Sequence, residues 1–173
     1  MTSPTSLTET QIIDAIIDRE GGYVDHAADR GGPTNFGITM AKLREWRNDP
    51  NLTANDVRMM RRGEAALIYH SDYIKKPGFD LITHDVLRQQ VIDFGVNSGP
   101  GTAARKLQKV LGVTQDGNLG PVSMAAIRRM GAAKANNLLM AERIKFMGKI
   151  VSADHSQAAF INGWLNRALE FMI

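Results

Sequence analysis

The chain has 173 residues, of which 43% are hydrophobic and 23% charged, and its formal net charge is +3 at pH 7. This composition is that of a globular protein with one domain or two very small ones. The sequence has no cysteine, which excludes disulfides and thiolate metal sites, and its histidines lack metal-ligand spacing. We therefore expect no metal and no cofactor. The basic residues are dispersed without interleaved aromatics, so we expect no nucleic-acid partner.

The first predicted helix carries an acid at its end. A capping box at Ser6 and Glu9 begins the helix. Its apolar face consists of four isoleucines, Ile12, Ile13, Ile16 and Ile17. Glu20 follows that face at helical spacing and therefore projects toward the core side, and Gly21 suits the left-handed position just past the helix end. Desolvation and the negative end of the helix dipole both favour the protonated carboxyl group, the form that a general acid needs. The alternative for Glu20 is an ion pair with a core arginine.

Residues 29–39 form a dense cluster of turn formers, Asp-Arg-Gly-Gly-Pro-Thr-Asn-Phe-Gly-Ile-Thr. They predict a tight loop or a short hairpin directly after the first helix, with Asp29 and Thr34 beside Glu20. Two carboxylates that flank a groove are the minimum for cleaving a glycosidic bond: one protonates the leaving oxygen, and the other holds a water or the cationic transition state. Thr34 would help to position that water. The alternative is that Asp29 and Thr34 only stabilise the loop.

The rest of the chain predicts further helices joined by short turns. Their predicted bounds are Thr39 to Trp46, a short helix from the Thr53–Asp56 capping box, Gly63 to Lys75, His84 to Val96, a helix after Gly101, one that starts at Pro121, about Ala132 to Ser152, and a last helix around residues 160–172. Gly95 is expected to allow close helix packing. Asp93 lies in an apolar helix, where it needs a partner, and we expect a structural role. The last helix shows a wide apolar stripe, which predicts a core-facing surface.

A family resemblance is carried by the segment around Glu20. Glu20-Gly-Gly-Tyr23, followed by Asp29-x-Gly-Gly-x-Thr34-x-x-Gly37-Ile-Thr, resembles the signature of the family 108 glycoside hydrolases, which are phage and bacterial N-acetylmuramidases. The resemblance implies a mainly α, compact lysozyme-like helical bundle. It also implies that Glu20 is the general acid, with Asp29 and Thr34 as its catalytic partners, and that Tyr23 binds substrate. The chain departs from the family pattern at Tyr73-Ile74, where the family often has Tyr-Trp, so one substrate-stacking aromatic is missing.

Two downstream segments extend the resemblance. Asp93-Phe-Gly-Val-Asn97-Ser98-Gly99 looks like the second block of the family, which implies that Asn97 and Ser98 bind substrate; a simple helix C-cap is the alternative. The segment 108–127 is similar to the repeat of peptidoglycan-binding modules, although its Asp116–Pro121 turn needs those residues for conformational reasons alone. We therefore predict a catalytic region at 1–97 and a helical peptidoglycan-binding-like region at 98–173, packed as one globular unit.

These expectations define one favoured function and two rivals. The favoured function is that of a monomeric endolysin-type muramidase, which hydrolyses the β-1,4 bond between N-acetylmuramic acid and N-acetylglucosamine in peptidoglycan. The rivals are a lytic transglycosylase and a non-catalytic protein that binds the wall or assists secretion. The N-terminus does not predict a signal peptide, and no stretch predicts stable membrane insertion. The protein is expected to be made in the bacterial cytoplasm and to reach the cell wall or periplasm by holin-type or other release.

Overall fold

The fold is built from helices and one small hairpin, in a computed structural model that describes residues 7–25 and 32–173. Over these residues the chain is mainly helical, as predicted, and its strands form a single two-stranded sheet. The described chain packs as two compact units, residues 7–71 and residues 72–173. None of the described helices combines the length and the apolar character that crossing a membrane requires.

The unit of residues 7–71 contains four α-helices and the hairpin. Its elements are α1 (Glu9–Glu20), β1 (Thr34–Asn35), β2 (Ile38–Thr39), α2 (Met40–Arg47), α3 (Ala54–Arg58) and α4 (Arg62–Ile68). The four isoleucines of the predicted apolar face of α1 are all buried, which confirms the helical pattern. Arg62 of α4 binds Asp14 and Asp18 on the solvent side of α1. Helix α1 is therefore fixed by a buried apolar face on one side and by ion pairs on the other.

The start of α1 differs from the predicted start, and its end agrees with the prediction except in the conformation of Gly21. The helix begins after Thr8, whose side chain and Gln11 form the capping box, whereas Ser6 lies outside the described residues. The threonine is better placed because the first helical residue is Glu9. At the other end the helix stops at Glu20, as expected. Gly21 has the expected positive φ of 77°, but its ψ of −166° lies outside the left-handed helical region. The chain thus leaves the helix in an extended conformation that glycine alone adopts without strain.

Local signals set most other ends in this unit. The Thr39 side chain caps α2, and Thr53 with Asp56 forms the predicted capping box of α3. Helix α2 ends at Arg47, one residue after the predicted end at Trp46, because Asn48 adopts the left-handed conformation. The helix predicted from Gly63 to Lys75 is divided into α4 and a π-helix, Tyr69–Lys75. A pattern of apolar residues does not distinguish these two helix types over so few residues.

The unit of residues 72–173 is built around a buried central helix. Its elements are a 3-10 helix (Phe79–Leu81), α5 (Asp85–Ser98), α6 (Pro100–Leu111), α7 (Pro121–Met130), α8 (Ala132–Ala153), a second 3-10 helix (His155–Phe160) and α9 (Ile161–Leu169). Helix α5 packs on both α6 and α8, which confirms the predicted central position. A side chain at Gly95 would place its Cβ 3.1 Å from the ring of Phe79, so this glycine permits the close packing that was expected.

Asp93 of α5 has the structural partners that its burial requires. Asp93 is 4% exposed, and its carboxylate accepts hydrogen bonds from Arg143 of α8 at 2.5 Å and from Arg167 of α9 at 2.7 Å. The buried carboxylate thereby joins three helices that are distant in sequence. The structural role predicted for Asp93 is confirmed.

The wide core-facing stripe predicted for the last helix is wrong in part. Ala168 is fully buried, and Ile161, Trp164 and Leu165 are partly buried against Met140 and Met147. Three other members of the stripe are instead exposed: Phe160 by 56%, Leu169 by 47% and Met172 by 66%. For Phe160 and Met172 the reason is that the segment is not one helix, whereas Leu169 is exposed as the last residue of α9. Phe160 ends a 3-10 helix and Met172 follows the end of α9, so the α-helical phase is lost at both ends.

Candidate active site

Glu20 occupies the last turn of α1 and is half-buried. The backbone N–H of Gly21 donates to the carbonyl of Ile17 at 3.2 Å, which closes the helix directly after the acid. The predicted position of Glu20, on a rigid helix end and partly shielded from water, is therefore present in the structure.

The glycine-rich segment folds into the hairpin that the sequence predicts. Thr34 pairs with Thr39, and Asn35 pairs with Ile38. The two residues between the strands, Phe36 and Gly37, have φ values of 51° and 76°. Two consecutive positive φ values are typical of the type I′ turn that joins antiparallel strands tightly. Phe36 is an uncommon residue for this position, since a bulky side chain is strained there.

The hairpin is tied to the segment that follows α1. Val24 and Thr34 exchange two backbone hydrogen bonds of 2.9 Å each. Because Thr34 also pairs with Thr39 of β2, its backbone is held from both sides. Its side chain is half-buried, and the Thr34 hydroxyl makes no hydrogen bond with the residues that the structure describes. Thr34 thus lies at a fixed position beside the segment that leaves Glu20.

The turn of the hairpin packs directly on Glu20. A Cβ built on Gly37 would lie 2.9 Å from Cγ of Glu20 and 2.5 Å from the hydroxyl of Tyr69. That hydroxyl donates a hydrogen bond to the carbonyl of Phe36 at 3.0 Å, and Tyr69 is only 1% exposed. Glycine is therefore required at position 37 for the turn to approach the stem of the acid. Sequence reasoning missed Tyr69 as a support of this turn.

Of the two other residues predicted around Glu20, Tyr23 is described by the structure and Asp29 is not. The Tyr23 hydroxyl donates to Asp25 at 2.9 Å, and the guanidinium carbon of Arg58 lies 4.4 Å from the centre of the Tyr23 ring. The ring is thus in cation–π contact on one face, and its predicted role in binding substrate stays a prediction. Asp29 lies outside the described residues. Its predicted catalytic role also stays a prediction.

Asn97 and Ser98 belong to the other unit, where they form the last turn of α5. The Asn97 side-chain amide donates to the carbonyl of Asp93 at 2.7 Å, whereas the C-cap position is taken by Gly99. Both residues line a pocket of about 90 Å³. The other lining residues are Arg143, Phe146, Met147, Ile150, Trp164 and Arg167. We call this cavity the α5–α8–α9 pocket; substrate binding by Asn97 and Ser98 stays a prediction.

The turn that resembles peptidoglycan-binding repeats is closed by its own residues. The Asp116 carboxylate accepts from the Asn118 backbone at 2.9 Å and from the Gln108 side chain at 2.6 Å. These hydrogen bonds, first that of Asn118, lower the pKa of Asp116 below its usual range. The side-chain amide oxygen of Gln108 in turn accepts from Gly117 N–H at 2.9 Å. The turn delivers Pro121 to the first position of α7, as predicted.

Metal chemistry has no candidate ligands in the described part of the chain, where no three His, Cys, Asp or Glu side chains lie close enough together to hold an ion.

Comparison with known proteins identifies the family. Residues 13–99 match the family described as Glycosyl hydrolase 108. The chain belongs to this family. Residues 102–169 match a second family, described as Predicted Peptidoglycan domain. The two matches together support a glycoside hydrolase that acts on peptidoglycan, and they confirm the family that the Glu20 segment resembles. The predicted domain bounds, 1–97 and 98–173, stay a prediction.

A solved structure agrees with this assignment. The chain is similar to SagA of Brucella abortus, with 32% sequence identity, 94% of each chain covered and a TM-score of 0.78. No curated protein sequence matches the chain significantly.

Proposed function

We propose that this glycosyl hydrolase 108 protein is an N-acetylmuramidase with Glu20 as its general acid. It would hydrolyse the β-1,4 bond between N-acetylmuramic acid and N-acetylglucosamine. The observation that carries the proposal is the packing of the Glu20 stem on Gly37, in the turn of the hairpin that bears Thr34. This contact holds an acid and a hydroxyl-bearing strand at one end of a rigid helix, in a chain of the matching family.

The reaction needs an acid, a water and a second carboxylate. Glu20 donates its proton to the glycosidic oxygen while the bond from that oxygen to C1 of the muramic acid residue breaks. A water molecule then adds its hydroxyl to C1, and its other proton passes to a carboxylate. Asp29 is proposed to stabilise the positive charge or to activate the water, with Thr34 as a positioning group for that water. This route needs no cofactor.

The first test compares the wild type with Glu20→Gln on purified peptidoglycan. Turbidity loss measures cleavage, and mass spectrometry identifies the products. Glutamine keeps the shape of glutamate but has no acidic proton to transfer. We therefore expect cleavage to fall by at least about 100-fold, within the range of a general acid's contribution. Asp18→Asn is the matched control, since Asp18 is a carboxylate of the same helix whose side chain is 70% exposed.

The products separate the proposal from its rivals. Reducing muropeptides from the wild type and Asp18→Asn, together with a folded but inactive Glu20→Gln, support the muramidase. Anhydro products would instead identify a lytic transglycosylase, in particular if Asp29→Ala keeps full activity. Sedimentation of all variants with the wall, without any cleavage, would assign a binding protein.

The endolysin role and the route of release are also part of the proposal. Expression in a bacterial host with and without a holin tests them. Lysis that requires both the holin and Glu20 supports release through the holin lesion. Lysis by the protein without the holin would contradict that route.

A further inference from the structure

Arg58 places a charged group beside the segment that leaves Glu20. It is the last residue of α3, and it is exposed. Its guanidinium carbon lies 4.4 Å from the centre of the ring of Tyr23, which is half-buried. A ring face at this distance attracts a cation and limits the directions in which the arginine can point. The positive charge thus has a preferred position over a residue only three places after the candidate acid.

The guanidinium group of Arg58 has no carboxylate partner among the residues that the structure describes. Arg47 and Arg62 of the same unit, by contrast, each form an ion pair with a carboxylate. Asp25 accepts from the hydroxyl of the Tyr23 ring, but it makes no ion pair with Arg58. A guanidinium carries five N–H donors, and here the Tyr23 ring face uses none of them as a hydrogen bond. These donors are therefore available to an anionic ligand.

The hairpin fixes the backbone of Arg58. Asn35 of β1 is 4% exposed, and its side-chain amide nitrogen donates to the carbonyls of Val57 at 3.0 Å and of Arg58 at 3.2 Å. Carbonyls in the last turn of a helix lack their usual intrahelical partners, so a buried amide is a suitable donor to them. Asn35 directly follows Thr34, and the turn of the same hairpin packs on Glu20. One hairpin therefore contacts both the candidate acid and the backbone of the arginine.

The chain itself limits the distance between Glu20 and this charge. Tyr23 is three residues after Glu20, so the Cα atoms of these two residues lie at most about 11 Å apart. Val24, the next residue, is tied to Thr34 by two backbone hydrogen bonds of 2.9 Å each. The segment from the acid to the Tyr23 ring is thus short and anchored. A glycan that offers its glycosidic oxygen to Glu20 can therefore meet Arg58 with a group on an adjacent sugar or its substituent.

We propose that Arg58 binds a carboxylate that the muramic acid residue of the substrate carries, with Tyr23 as the residue that positions the guanidinium. N-acetylglucosamine is neutral, whereas muramic acid bears a lactyl group that ends either in a free carboxylate or in a stem peptide with carboxylates of its own. Arginine recognises such a group through two parallel N–H bonds. The inference rests on the proposed function for its choice of substrate, and it makes Arg58 a determinant of specificity for the anionic sugar.

The test measures binding of two pairs of soluble glycan chains to the full-length Glu20→Gln protein by isothermal titration calorimetry. The first pair has no peptide and carries either lactyl carboxylates or lactyl carboxamides. The second pair carries tetrapeptides whose carboxyl groups are either free or amidated. We expect the free acid to bind about 10-fold more tightly than its amide, the effect of one hydrogen bond to a charged group. A preference in the first pair assigns the lactyl carboxylate, and one confined to the second pair assigns the stem peptide.

Variants of the Glu20→Gln protein then locate this preference. Arg58→Met removes the charge and should abolish the preference, whereas Arg58→Lys keeps the charge without the planar fork and should retain part of it. Arg128→Met is the matched control, since Arg128 is an exposed arginine of α7 and its loss changes the net charge equally. Circular dichroism and thermal unfolding verify that each variant is folded. A folded Arg58→Met that keeps the full preference, or an Arg128→Met that loses it, would overturn the assignment.

Tyr23→Leu tests the positioning role of the ring. Without the ring face the guanidinium loses its preferred position, so the preference for the acid over the amide should fall. A tyrosine that only packs on the sugar would weaken binding of the acid and of the amide by the same factor. An unchanged ratio between the two affinities in Tyr23→Leu would therefore refute the positioning role.

The binding and cleavage results can fail separately. Equal binding of acid and amide in both pairs refutes the role of Arg58 even if the wild type cleaves peptidoglycan. A preference that Arg58→Met abolishes, without any cleavage by the wild type, would support the carboxylate site and contradict the proposed muramidase.

Discussion

Gly37→Ala tests the contact on which the candidate active site depends. The added methyl group would lie 2.5 Å from the Tyr69 hydroxyl, 2.9 Å from Cγ of Glu20 and 3.0 Å from its Cβ. Neither neighbour can move away freely. Tyr69 is 1% exposed and bonded to the carbonyl of Phe36, and the Glu20 atoms are the first two of a side chain fixed to the helix. The hairpin turn must therefore shift away from α1.

Two effects destabilise the folded Gly37→Ala protein. A φ of 76° strains an L-residue by about 1–2 kcal/mol, and inserting a methyl group into a packed contact costs about 1–3 kcal/mol. We therefore expect Gly37→Ala to lower the free energy of unfolding by about 2–5 kcal/mol. A displacement of about 1 Å at a catalytic site reduces rate by roughly 100-fold. The rate of peptidoglycan cleavage by the remaining folded protein should therefore fall by roughly 100-fold.

Gly112→Ala is the matched control, because it separates backbone strain from the clash. Gly112 ends α6 with a φ of 69°, and a Cβ there would have no atom within 4 Å. This variant should lose only about 1–2 kcal/mol and keep its activity per folded molecule. Urea unfolding and turbidity assays measure both quantities. Equal stability of the two variants, with full activity of Gly37→Ala, would refute the close approach of the turn to Glu20.

The remaining predictions concern charged groups that stabilise each unit. Asp93→Asn should lower the free energy of unfolding by about 3–5 kcal/mol in urea denaturation, because it removes the negative charge from a buried ion pair with Arg143. Glu64→Gln tests a pH dependence, since the hydrogen bonds from Arg47 lower the pKa of Glu64 below its ordinary value of 4.5. A lowered folded-state pKa stabilises the protein above about pH 4.5 and no longer does so once the pH falls through the folded value. The free energy of unfolding of the wild type should therefore exceed that of Glu64→Gln by up to about 1 kcal/mol at pH 7. The difference is small because the side chains of Glu64 and Arg47 are both partly exposed. It should vanish in acid.

Each of these predictions has an outcome that contradicts it. Asp85→Asn serves as the control for Asp93→Asn, because Asp85 pairs with Arg88 within one turn of the same helix and is partly exposed. A loss for Asp93→Asn as small as that of Asp85→Asn would mean that the buried carboxylate contributes little. For Glu64, the same stability difference at pH 7 and at pH 3 would show that the ion pair with Arg47 is not its origin.

The features predicted correctly are those that a few neighbouring residues determine. Buried isoleucines four residues apart define α1, the Thr39 hydroxyl caps α2, the capping box of Thr53 and Asp56 begins α3, and Gly37 permits the tight turn. In each case the physical cause lies within a few positions of its effect. The same local reasoning predicts that Glu20 lies at a helix end followed by glycines, whereas its role as the general acid is implied by the family resemblance and stays a prediction.

The features that were missed depend on residues distant in sequence. Tyr69 supports the turn at Phe36 from a position 33 residues later, and no local pattern links the two. The π-helix that begins at Tyr69 and the helix ends that leave Phe160 and Met172 exposed are likewise not visible in the pattern of apolar residues. An apolar stripe states which residues prefer burial, but it does not state whether a partner is present to bury them.

The contrast between the Asp116 turn and the α5–α8–α9 pocket shows how motif and cavity can separate. The turn has the more regular sequence pattern, yet its Asp116 and Gln108 side chains are used to close the turn itself. That pattern is sufficiently explained by conformation, so it carries little information about a ligand. The pocket brings Asn97 and Trp164 together from helices 67 positions apart, and such a cavity leaves no contiguous motif.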